Sequence, residues 1–120
     1  WMLWKRGQVQ IESGHYDEAQ DDLLKAAHFS TLYEDTGILA NIVYDLARIF
    51  FYKGEYQKCI LLLNLVADEI DDNDLFELFA YSYLALNMVD EYQKVIEAVK
   101  DYDSDTYLSI GRMAQDEFGV

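Results

Sequence analysis

Three acidic residues have the spacing of the first ligands of a calcium-binding loop: Asp101, Asp103 and Asp105. Such a loop also needs a glycine at its sixth position and a glutamate at its twelfth, where this chain has Thr106 and Arg112. The segment is therefore interpreted as an acidic loop leading into a helix whose N-cap is Ser104 or Asp105. No calcium site is predicted.

Other residues with catalytic or metal-binding spacing belong to incomplete motifs. Glu12 and His15 have the spacing of one half of a di-iron carboxylate site, but the second half is absent from the sequence. Cys59 would need a nearby base to act as a nucleophile, and neither histidine belongs to its predicted hairpin. Glu18 and Asp22 share a helix face within a polar stretch, so we interpret them as solvent-exposed surface. We predict no enzyme activity, no catalytic residue, no metal and no cofactor.

Composition and charge restrict both the fold and the partners. The absence of proline and the abundance of helix-forming residues predict an all-α chain. The formal net charge of −14 would repel nucleic acid and anionic membranes, so we expect neither as a partner. The longest apolar stretch is far too short to span a membrane. The single cysteine, Cys59, favours a reducing compartment, and we expect a cytoplasmic location.

One sequence motif occurs three times, and its copies begin at Gly14, Gly54 and Asn87. Each copy has a turn residue, an apolar residue two positions later, and then the periodicity of a new helix. Glycine and asparagine tolerate the left-handed backbone conformation that ends many helices. The first two turns are 40 residues apart and the second and third are 33 apart. We therefore predict antiparallel helical hairpins, the first interval being lengthened by about one turn in each neighbouring helix.

The apolar residues on both sides of each turn recur at helical spacing, which predicts the bounds of the hairpins. Small residues lie where the two helices of a hairpin would cross, and a bulky replacement there should separate them. These residues are Gly7, Ala47 and Ala80 on first helices and Ala19 and Cys59 on second helices. We predict a single domain over 1–120, within a fragment of a longer protein. Its parts are hairpin 1 at about 2–33, hairpin 2 at about 37–70, hairpin 3 at about 74–100 and a capping helix at about 104–118.

The order of small and aromatic residues around these turns resembles the tetratricopeptide repeat family over roughly 2–100. The resemblance implies an α-solenoid of about seven helices in which the first helix of each hairpin lines a concave groove. It implies that a partner would contact a largely aromatic set: Trp4, Gln8, Glu12, Tyr44, Asp45, Arg48, Phe51, Tyr52, Glu77 and Tyr81. Arg48 would suit a carboxylate of the partner, and Asp45 or Glu77 would suit a basic side chain.

We therefore predict a non-catalytic protein interaction module that binds a peptide or helical segment. Two alternatives are a peptide-sensing regulatory domain of a bacterial regulator and a dedicated secretion or assembly chaperone. The aromatic start of the chain, Trp1 and Trp4, has two open interpretations. These residues line a binding or self-association surface, or they pack on a preceding repeat that has been cut off.

Overall fold

The computed structural model describes residues 2–32, 36–70 and 73–119, and these residues form helices joined by short turns. The all-α prediction is confirmed for this part of the chain. The residues group into two compact units, 1–70 and 71–120. The single-domain and solenoid arrangements stay predictions, and each unit is described by itself.

The first unit contains two antiparallel hairpins. Its helices are α1 (Met2–Glu12), α2 (Tyr16–Leu32), α3 (Thr36–Tyr52) and α4 (Tyr56–Val66). Along the chain each helix packs against the next, and α3 also contacts α1. The second unit contains α5 (Asp74–Ala85), α6 (Val89–Lys100), α7 (Ser104–Met113) and a π-helical turn (Ala114–Phe118). Both α7 and the π-helical turn pack against α5.

The three repeated turns share one backbone geometry. Gly14, Gly54 and Asn87 have positive φ angles of 82°, 79° and 60°, which confirms the left-handed conformation predicted for them. The residue after each of them donates its backbone N–H to a carbonyl five residues earlier. The turn residue itself donates to a carbonyl three residues earlier. This is the Schellman motif, which satisfies carbonyls left over at a helix end.

The core of the first unit forms where small residues allow close helix contact. A Cβ atom added at Gly7 of α1 would lie 2.9 Å from Cγ of Leu23 on α2, so only glycine fits there without movement. Leu23 is completely buried, and so are Ala19 and Ala47, two of the small residues predicted at helix crossings. Ile42 and Ile49 of α3 belong to the same core and are also completely buried.

The C-terminal segment covers one side of the second unit. Asp103 is the N-cap of α7, and its carboxylate accepts hydrogen bonds from the backbone N–H groups of Asp105 and Thr106. The predicted N-cap, Ser104 or Asp105, was therefore wrong, because Asp103 has the extended backbone that a capping residue needs. Asp103 also accepts from the side chains of Thr106 and Asn73, so its oxygens are occupied by protein donors. None of the helices in the described ranges is long and apolar enough to cross a membrane.

Candidate functional site

The best-defined polar cluster of the first unit is built around Asp45. Asp45 lies on α3, is 3% exposed as a whole residue, and its side chain faces α1. Trp4 donates its indole N–H to Oδ2 at 2.8 Å, and Gln8 donates its amide N–H to the same oxygen at 3.0 Å. Arg48, one turn further along α3, donates to Oδ1 at 3.1 Å. One carboxylate thus connects both helices and holds three other predicted partner-binding residues.

Arg48 lies between this buried carboxylate and the solvent. Its side chain is 26% exposed, while that of Asp45 is 4% exposed. Burial lowers the pKa of Arg48, but the charge of Asp45 and hydrogen bonding to Tyr52 outweigh burial, and the net effect is a raised pKa. The guanidinium is therefore permanently charged and internally compensated, and its orientation is set by the two side chains that contact it.

An aromatic cluster lies at the C-terminal end of α3. The rings of Tyr52 and Tyr16 are stacked, with centroids 5.5 Å apart and planes 15° apart. Phe51 packs edge to face with Tyr52 and with Tyr56, at centroid distances of 5.5 and 5.8 Å respectively. Tyr52 is 48% exposed although one of its faces is covered, so part of the ring is available at the surface. Tyr44, by contrast, is 7% exposed and belongs to the core.

Glu12 occupies the same position in α1 that Tyr52 occupies in α3. Each is the last residue of its helix and stands two residues before the left-handed glycine. Tyr16 begins α2 only four residues after Glu12 and stacks on Tyr52, so the C-terminal ends of α1 and α3 lie on the same side of the unit. Glu12 is exposed. We call the surface formed by Gln8, Glu12, Arg48 and Tyr52 the α1/α3 face.

The two predicted site residues of the second unit contact its own C-terminal segment. Glu77 of α5 accepts a hydrogen bond from the hydroxyl of Ser109 at 3.0 Å. The ring of Tyr81 meets that of Phe118 edge to face, with centroids 5.0 Å apart. The α7 segment thus lies beside α5 much as α3 lies beside α1. The role of Glu77 and Tyr81 as partner contacts stays a prediction, as it does for the buried Tyr44 and Asp45.

The structure adds a polar pair that the sequence interpretation missed. Asp22 of α2 was interpreted as exposed, but it is 4% exposed, so that interpretation was wrong. Arg6 of α1 donates to both of its oxygens, at 2.6 and 2.7 Å. These hydrogen bonds hold the pKa of Asp22 below its usual value, against the opposing effect of burial. The sixteen-residue separation across a hairpin carries no local sequence signal, which explains the error.

Cys59, considered above as a nucleophile, is completely buried. Within the described ranges, no three His, Cys, Asp or Glu side chains are grouped so that they could hold a metal ion. Comparisons with protein-family models, with curated proteins and with solved structures found no match to this chain.

Proposed function

We propose that this chain is a tetratricopeptide-like, non-catalytic protein interaction module that binds a peptide or helical segment of a partner on the α1/α3 face. The three Schellman turns support the repeat interpretation, because they place equivalent helix ends at equivalent sequence positions. We also propose a cytoplasmic location, which the single buried thiol of Cys59 favours.

The observation that carries the proposal is the contrast between the two layers of the α1/α3 face. The inner layer is the buried carboxylate of Asp45 with its three donors, which fixes α1 against α3. The outer layer presents Arg48 and Tyr52, an arginine and an aromatic residue held in place by neighbours. Arginine and tyrosine are over-represented among residues that dominate binding energy, and side chains that are already ordered lose less entropy on binding.

The electrostatics of the buried acids favour binding over catalysis. A general acid at neutral pH needs a raised pKa, whereas the pKa of Asp22 is lowered by its hydrogen bonds with Arg6. Asp45 accepts hydrogen bonds from Trp4, Gln8 and Arg48. Both carboxylates therefore act as structural acceptors between helices.

The test is affinity capture with three versions of the full chain: wild type, Tyr52→Ala and Tyr102→Ala. Tyr102 lies between α6 and α7 and is 62% exposed, so Tyr102→Ala removes a similarly exposed phenol elsewhere. We expect a protein that is retained by the wild type and by Tyr102→Ala but lost with Tyr52→Ala. If every captured protein is retained equally by all three, the α1/α3 face is not the binding surface.

A further inference from the structure

The ion pairs of the first unit leave the α1/α3 face with one uncompensated charge. The positive charge of Arg48 is neutralised by Asp45, and that of Lys53 by Asp17 at 2.8 Å. Lys58 pairs with Glu55 at 3.0 Å. Glu12 has no ion pair in the described part of the chain. Its carboxylate is thus the group on this face that is open to a new electrostatic partner.

Helix register brings this carboxylate to the level of an exposed aromatic ring. Glu12 and Tyr52 each end a helix immediately before the same turn motif, and the stack of Tyr16 on Tyr52 fixes both ends on one side of the unit. One face of the Tyr52 ring lies against Tyr16 and the ring also contacts Phe51, yet 48% of the residue stays exposed to solvent. The edge of the α1/α3 face therefore combines an unpaired carboxylate with an accessible π system.

A guanidinium or ammonium group satisfies both features at once. It can lie over an aromatic ring by cation–π attraction and direct its N–H donors to a carboxylate. We infer that the partner segment is cationic and amphipathic, an inference that rests on the proposed function. One arginine or lysine side chain of this segment packs on Tyr52 and pairs with Glu12. The net charge of −14 adds long-range attraction for such a segment.

This inference gives Arg48 a role different from the one expected from sequence. Asp45 already neutralises the guanidinium through a contact of 3.1 Å, so the positive charge of Arg48 offers an acidic partner little net attraction. Asp45 holds Arg48 in place and Arg48 hydrogen-bonds Tyr52, while Glu12 and Tyr52 contact the cation of the partner.

The probes are two synthetic helical peptides of equal length with the same leucine stripe. One carries arginine and lysine at its polar positions and the other carries glutamate. Binding to the full chain is measured by fluorescence anisotropy of labelled peptide at an ionic strength of about 0.15 M, where surface charges are partly screened. We expect the cationic peptide to bind at least about tenfold more tightly than the acidic one.

Three variants locate the contact. Glu12→Lys and Tyr52→Ala should each weaken the cationic peptide, with Glu12→Lys reducing its affinity about tenfold. Asp21→Lys is the control, because it makes the same charge change at an exposed site of α2, on the side of the helix opposite the buried Leu23. It should change the affinity less than about threefold. Equal losses from Glu12→Lys and Asp21→Lys would overturn the inference, because binding would then follow overall charge.

The same data separate this inference from the proposed function. If the acidic peptide binds as tightly as the cationic one, or more tightly, and Tyr52→Ala weakens it, the α1/α3 face binds helical segments but the cationic preference is wrong. If neither peptide binds, the inference fails, while the capture experiment still tests the proposed function. If Tyr52→Ala changes the affinity of neither bound peptide, both the proposed face and the inferred chemistry are overturned.

Discussion

Replacing Asp45 with alanine removes the acceptor shared by α1 and α3 and should destabilise the first unit. Three donors lose their partner: the indole of Trp4, the amide of Gln8 and the guanidinium of Arg48. Breaking a fully buried charge pair costs about 3–5 kcal/mol. Because the Arg48 side chain is 26% exposed, water can replace part of the lost interaction, and we expect about 3 kcal/mol.

Urea unfolding followed by tryptophan fluorescence measures this loss in the appropriate unit. Both tryptophans of the sequence, Trp1 and Trp4, belong to residues 1–70, although Trp1 lies outside the described residues. A double-mutant cycle with Gln8→Ala isolates one hydrogen bond, for which we expect a coupling free energy of about 1 kcal/mol. A loss below about 1 kcal/mol for Asp45→Ala, together with additive single variants, would refute the buried-hub interpretation.

Three further predictions concern stability. Gly7→Ala should lower the free energy of unfolding, measured in urea, by about 1 kcal/mol, because overpacking against Leu23 outweighs the gain in helix propensity. Gly111→Ala should raise it by about 0.5–1 kcal/mol, because nothing outside its own stretch of helix lies within 4 Å of the added Cβ. Arg6 lowers the folded-state pKa of Asp22, so this pair stabilises the folded protein fully above the unfolded pKa of about 4, and the stabilisation is lost as the pH falls below it. Asp22→Asn should therefore make the thermal stability less dependent on pH in this acid range. Asn87→Gly should raise the thermal midpoint and Asn87→Ala should lower it, since the φ of 60° suits glycine best; equal midpoints would contradict this.

The three turns were predictable because local chemistry determines them. A left-handed residue follows the ends of α1, α3 and α5, and an apolar residue two positions later begins the next helix, so Gly14, Gly54 and Asn87 were sufficient to place these turns. The tight contact at Gly7 also followed from residue size. These features depend on a few neighbouring residues and on helix periodicity.

The polar contacts between helices were not predictable in the same way. Arg6 with Asp22, and Trp4 with Asp45, are brought together by the rotation of one helix against another, which periodicity alone does not specify. A partial signal existed for Asp45. It is the only acidic residue within the apolar α3 segment, and an arginine follows three positions later, which is the spacing of a helical ion pair. Asp22 had no such signal, because its surroundings in α2 are polar.

The most direct test of the central claim is a map of where a bound segment changes the protein. The isotope-labelled full chain is titrated with whichever of the two helical peptides binds more tightly, and backbone amide shifts are recorded by NMR. We expect the largest shifts at Glu12, Arg48 and Tyr52. Shifts concentrated instead at Leu61 and Leu65, the exposed leucines of α4, would contradict binding on the α1/α3 face.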